Sequence, residues 1–197
     1  MNFETSTLKA QFKLPIKSKE ELEKIKKLKV NKISLSGEIL KVNYEELLNF
    51  PNLETLYFEN CTLDFLAMSI LTKLNKLKKL YLINCEILDD NSKLLANLNL
   101  ENLVIDHTIL NFNNLPILKA LNITLSRIDM PNIKIITENL DIANVTYQNI
   151  DFLNNIIAST IKVPYQMYIQ NENVFNLLSS KIIVLEENTN FVYKEVN

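Results

Sequence analysis

Two cysteines, one histidine and a few adjacent carboxylates are the side chains of this 197-residue chain whose types could carry chemistry. Cys61 and Cys85 sit in near-identical settings, after Leu56-Tyr57-Phe58-Glu59-Asn60 and after Leu80-Tyr81-Leu82-Ile83-Asn84. Such a pair reads as a disulfide, a metal pair or a redox switch, or as two small buried thiols. The thiols are expected, because unpaired cysteine behaves as a buried hydrophobe and cytosolic thiols stay reduced. The chain has neither the C-x-x-C spacing nor a nearby ligating histidine, so no metal is expected. His107 stands alone, which removes any histidine dyad, and a Ser-His-Asp arrangement would have to rest on it. It is expected to be a surface histidine beside a strand. Asp89-Asp90 and Glu186-Glu187 resemble hydrolase carboxylates only in type, since adjacent side chains diverge, and the first pair suits a helix N-terminus. The single glycine, Gly37, excludes glycine-rich phosphate cradles and nucleotide fingerprints. No catalytic residue and no cofactor is expected. Asn60-Cys61-Thr62, Asn122-Ile123-Thr124 and Asn144-Val145-Thr146 fit the glycosylation sequon, a pattern that an Asn-rich chain produces by chance.

The elements that would position these residues come from a repeat. Leu53, Leu56, Phe58, Cys61 and Leu63 occupy relative places one, four, six, nine and eleven of a stretch that returns at Leu77, Leu80, Leu82, Cys85 and Ile87. The spacing matches L-x-x-L-x-L-x-x-N/C-x-L. The chain thereby resembles the leucine-rich repeat family, in its short cytosolic type. The resemblance implies an α/β fold, a leucine-rich-repeat solenoid or horseshoe, with a parallel concave β-sheet and short helices or extended segments on the convex side. It further implies a non-catalytic module that grips a partner protein on the concave face.

Further units follow the same pattern. The first starts at Val30 with Ile33, Leu35 and Leu40, although Glu38 replaces the usual Asn or Cys. Later starts are Leu100, Leu118, Thr137, Ala158 and Ser179 or Ser180. The third unit carries Leu100, Leu103, Ile105, Thr108 and Leu110, and the fourth Leu118, Leu121, Ile123, Ser126 and Ile128. In the sixth, Ile161 and Val163 run directly into Pro164. Residues 1–29 are expected to cap the first repeat with a strand, over Thr7 to Leu14, and an amphipathic helix, over Lys19 to Lys27. That helix would open on the Ser18-x-x-Glu21 box. Residues 30–178 form the repeats and 179–197 a terminal repeat and cap, all one structural domain sharing a continuous core.

Spacing sets the return segments. Asp64 to Asn75 and Asp89 to Asn97 read as helical, and Asn43 with Glu46 opens a short helix that Pro51 stops. The tighter spacing from Leu100 through Thr137 leaves room only for extended or single-turn segments, over Asn111 to Ile117 and Asp129 to Ile136. Helices are expected again at Asn149 to Ala158 and Glu172 to Ser179, giving uneven curvature.

Strand residues at places three, five and seven face away from the core. Place five reads Ser34, Tyr57, Tyr81, Val104, Asn122, Asp141 and Lys162; place seven reads Ser36, Glu59, Ile83, Asp106, Thr124, Ala143 and Pro164. With parallel neighbours about 4.8 Å apart, Tyr57, Tyr81, Ile83 and Val104 are expected to form an aromatic-aliphatic patch rimmed by Lys79, Glu59, Asn102 and Asp106. Tyrosines over an apolar centre with a charged rim are typical of protein interfaces. The structural alternative is cross-strand stacking that only stabilises the sheet.

A net charge of -2 with 47% hydrophobic residues argues against nucleic acid as the main partner. No apolar run is long enough to span a membrane, and Met1-Asn2-Phe3-Glu4 lacks the plan of a signal peptide, so a cytoplasmic protein is expected, monomeric or weakly homodimeric. A rival function on the same face is a proteinaceous inhibitor that occludes a nuclease or defence enzyme. An enzyme of the resembled family, such as a bacterial leucine-rich ubiquitin ligase, would need a further domain with a reactive cysteine.

Overall fold

The structure, a computed structural model, describes residues 7–11, 31–36, 44–110, 117–128, 133–185 and 193–196. The expected N-terminal helix, the capping pair's Asn43, Gly37 and Glu186-Glu187 lie outside the described residues.

Most of the longer strands form where apolar residues alternate with polar ones, because one face can then be buried while the backbone groups pair laterally. In chain order they are β1 (Thr7–Gln11), β2 (Lys32–Ser36), β3 (Thr55–Glu59), β4 (Thr62–Leu63), β5 (Lys79–Ile83), β6 (Glu86–Ile87), β7 (Asn102–Asp106) and β8 (Ile109–Leu110). There follow β9 (Ile117–Lys119), β10 (Asn122–Leu125), β11 (Arg127–Ile128), β12 (Lys134–Asp141), β13 (Thr146–Tyr147), β14 (Ile156–Pro164), β15 (Lys181–Leu185) and β16 (Tyr193–Val196). The fold is α/β, built on a mostly parallel 11-stranded sheet in the order β1-β2-β3-β5-β7-β10-β12-β14-β15-β16, with β9 pairing β12. Each strand of this path lies beside the next in sequence order, all parallel until β16 closes antiparallel on β15. Two small ladders, β4-β6-β8 and β11-β13, stack the segments just beyond the main strands.

Registers in the N-terminal half match the repeat spacing. Ile33, Leu56, Leu80 and Leu103 are lateral partners, as are Leu35, Phe58, Leu82 and Ile105, and every one is buried. This face holds the core. Between strands, Asp64 caps a helix over Phe65–Leu71 by accepting from the Ala67 amide at 2.8 Å, and the helix buries Ala67, Met68, Ile70 and Leu71. The returns before and after it are 3₁₀ segments at Tyr44–Asn49 and Asp89–Asn97. Place eight turns left-handed in three successive units, at Asn60 (φ 54°), Asn84 (φ 49°) and His107 (φ 46°). Asn and His tolerate that region better than most residues, which explains their use where glycine is absent.

Three expectations are corrected. The fourth unit is displaced by two residues: Ile123 and Leu125 pair with Leu103 and Ile105, whereas Leu121 is 47% exposed at the turn before β10. Leu118 is buried, but in β9, which pairs with β12. A two-residue slip keeps every side chain on its own face, so alternation alone could not detect it. The helix expected over Asn149 to Ala158 is a 3₁₀ turn, Asp151–Asn155, after which β14 already begins at Ile156. β-branched Ile156 and Ile157 favour the strand, where they pair with Ile135 and Ile136. The helix expected over Glu172 to Ser179 stops at Phe175, and a further helix, Tyr165–Gln170, starts directly after Pro164, whose fixed φ suits a helix start. Lys134 to Ile136 is extended as expected, within β12.

No helix among the described residues is long and apolar enough to cross a membrane.

Candidate functional site

All eight residues of the expected patch lie on the three adjacent strands β3, β5 and β7, on the face opposite the core. Tyr57, Tyr81 and Val104 are lateral partners; so are Glu59, Ile83 and Asp106, and Lys79 pairs with Asn102. Strand alternation puts them there: their neighbours Leu56, Phe58, Leu80, Leu82, Leu103 and Ile105 take the buried side.

Tyr57 and Tyr81 stack with ring centroids 4.1 Å apart and planes inclined by 6°. The cross-strand stack is therefore present, and with their inner faces in mutual contact the two rings have only edges, hydroxyls and outer faces left for other contacts. Lys32 Nζ, on β2, lies 4.6 Å from the Tyr57 centroid. This cation was not among the expected site residues, although its place-three position beside Thr55 carried the signal. Tyr57, Tyr81, Ile83, Asn102, Val104 and Asp106 are half-buried, while Glu59 and Lys79 are exposed. Burial, and then the neighbouring Tyr57 hydroxyl, push the Tyr81 phenol above its ordinary value.

At the rim, Asp106 Oδ1 lies 2.6 Å from His107 Nδ1, and Ser126 Oγ lies 3.4 Å from the same nitrogen. Ser126 Oγ also accepts from the His107 amide at 2.8 Å. A catalytic triad needs the carboxylate on one ring nitrogen and the hydroxyl on the other. Here both address Nδ1, so these three residues do not form a nucleophile relay. They brace a left-handed turn instead, and the Ser126 hydroxyl, then His107, hold the Asp106 carboxyl below the usual range.

Both thiols are free and buried. Cys61 Sγ donates to the Glu59 and Leu35 carbonyls at 3.2 and 3.7 Å, and Cys85 Sγ to those of Ile83 and Phe58 at 3.3 and 3.4 Å. Each thiol thus ties its own turn to the strand before it. Hydrogen bonding to Cys85 and burial push the Cys61 thiol up, away from a reactive thiolate. Among the described residues no three His, Cys, Asp or Glu side chains are grouped to hold a metal ion.

Farther along the same face the displaced register makes Thr124, not Asn122, the neighbour of Val104. Asn122 sits between Asn102 and Asn139, and with Thr160, Asp141, Lys162, Lys181 and Ile183 these residues line a shallow cavity of about 440 Å³. The sequence expectation missed this second region because the slip had moved its carboxamides out of line.

Behind the sheet, Tyr44 donates from its hydroxyl to the Thr62 carbonyl at 3.2 Å and meets Phe58 edge-on. Burial is the main cause that pushes its phenol well up. A phenol raised on folding contributes stability that is fully present below the unfolded tyrosine value, about 10, and is lost as pH rises above it. Stability is therefore expected to fall through alkaline pH, with Tyr44→Phe showing a shallower fall. Chemical unfolding at successive pH values checks this; an identical slope in the variant would contradict it.

No protein-family model, no curated protein and no solved structure matches the chain.

Proposed function

We propose that the chain is a leucine-rich-repeat solenoid whose polar sheet face is concave and binds a partner protein without catalysis. Supporting the solenoid reading are the recurrence of Leu56, Leu80 and Leu103 in lateral register and the strand order that follows the chain. Supporting the binding reading is one observation above others: the stacked Tyr57–Tyr81 pair, continuous with Ile83 and Val104 and bordered by Lys32, Lys79, Glu59 and Asp106. Aromatic anchors over an apolar centre, with charges of both signs at the edge, are where binding energy concentrates in protein interfaces. The face is pre-organised by the sheet beneath it, so little ordering entropy opposes association.

The test is affinity capture from native lysate, read by mass spectrometry, with the wild type beside a folded Tyr57→Ala/Tyr81→Ala variant. A partner retained by the wild type and lost by the variant is the expected result. Equal capture by both would make the stack purely structural. Where the captured partner is an enzyme, its activity in the complex separates an inhibitor from a scaffold.

A further inference from the structure

Cys61 and Cys85 are reactive side chains that the binding face does not use. The lateral pairs Glu59 with Ile83 and Thr62 with Glu86 bracket them at one offset, so the two cysteines are neighbours in successive turns. The Cys61 carbonyl accepts from the Glu86 amide at 2.9 Å, which ties those turns together. Both thiols point the same way. Each donates to the carbonyl two residues before it, Cys61 Sγ to Glu59 at 3.2 Å and Cys85 Sγ to Ile83 at 3.3 Å, and each reaches back to the preceding strand, at Leu35 and at Phe58. Their α-carbons are therefore one strand spacing apart, about 4.8 Å, within the span of about 4.4–6.8 Å that a disulfide bridges. The thiols also hydrogen-bond each other, which holds the Cys85 thiol below its ordinary value and pushes the Cys61 thiol up. Cys85 is thus the readier thiolate of the two.

We infer that Cys61 and Cys85 form an internal disulfide when the folded chain meets a hydroperoxide, and that this bond braces the turns after β3 and β5. The Cys85 thiolate attacks one peroxide oxygen, the O–O bond breaks, and a sulfenic acid and hydroxide result. That hydroxide takes the Cys61 proton, and the Cys61 sulfur displaces hydroxide from the sulfenic acid. The second hydroxide takes the proton that Cys85 first released. Two thiols lose two electrons, the peroxide gains them, and two waters leave. Burial selects the oxidant: the cysteines are 1% and 3% exposed, which favours a molecule as small as hydrogen peroxide over a bulky disulfide reagent. The backbone already meets the bridging distance, so side-chain rotation closes the bond. The braced turns directly follow Glu59 and Ile83 of the polar face.

The test treats the full chain with hydrogen peroxide under native conditions, quenches it with catalase and maps its peptides by mass spectrometry. The expected result is a cross-link between the Cys61 and Cys85 peptides, and a thiol count after denaturation that falls from two to none. The thermal midpoint is expected to rise by at least about 4 °C and to return with dithiothreitol. Cys61→Ser and Cys85→Ser are expected to gain nothing in midpoint from peroxide, and Cys61→Ser to accumulate sulfenic acid on Cys85 faster than Cys85→Ser does on Cys61. The wild-type map and midpoint stand by themselves if a serine variant does not fold. Two thiols surviving in the folded chain at a peroxide dose that oxidises its urea-unfolded form would overturn the inference. So would sulfinic acid in place of the cross-link, a bond between two chains, or a midpoint left unchanged or lowered.

Discussion

Leu80→Ala and Leu103→Ala are each expected to lower the unfolding free energy by about 2–5 kcal/mol, the sum of lost transfer energy and the cavity left behind. Both leucines are 0% exposed and stand in the same lateral row, between rigid strands that cannot collapse far into the space. Ile123→Ala belongs with them, being 1% exposed in that row. Leu121→Ala is the discriminating control. Spacing alone would put Leu121 in the row, yet it is exposed at the turn before β10, and its removal is expected to stay within about 0.5 kcal/mol. Urea unfolding of the four variants reads all of this from shifts in midpoint at constant slope. A Leu121 loss as large as that of Ile123, or unchanged midpoints for Leu80 and Leu103, would refute the register.

What the sequence disclosed follows from which physical constraint acted at each point. The rows through Leu56, Leu80 and Leu103 were legible because two nearly identical stretches fix both face and offset, and the third repeats them. The placement of Tyr57, Tyr81, Ile83 and Val104 on one face came from the same constraint, and the α/β class from the family resemblance that those stretches carry. Beyond Leu110 the offset was legible only to within two residues. Leu121, Ile123 and Leu125 are all apolar and share one parity, so burial on either choice looks equally good in one dimension. Long-range pairing decides it: Leu118 is drawn into the ladder with β12, which leaves Ile123 to face Leu103. The helix misjudged near Asn149 fails for a related reason. Ile156, Ile157 and Ile161 gain partners in β12, and that tertiary pairing outweighs a weak helical period. Of the site, the tyrosine patch was read directly from spacing, whereas the Asn102-Asn122-Asn139 file required the true register.

Phe58→Ala is expected to cost about 3–5 kcal/mol and to loosen β2 and β5, which pair directly with its own strand. The ring is fully buried, lies between Leu35 and Leu82 and meets Tyr44 at 6.2 Å between centroids and 65° between planes. Tyr57→Ala, one residue away, removes a ring from the opposite face. Beyond the area that its half-buried ring covers, it gives up a stacking contribution of about 0.5–1.5 kcal/mol and a cation–π contribution of about 0.5–1 kcal/mol, with no cavity left in the core. Thermal unfolding with hydrogen exchange distinguishes the two cases. Phe58→Ala should lose protection across β2, β3 and β5 together, whereas Tyr57→Ala should keep those amides protected. If Tyr57→Ala proved as damaging as Phe58→Ala, the stacked pair would be part of the fold's support, and loss of partner capture in its variants would carry no information about a binding face. If the expected separation is found, the two faces of a single strand divide the work: Phe58 holds the sheet together, and Tyr57 is free to be spent on a partner.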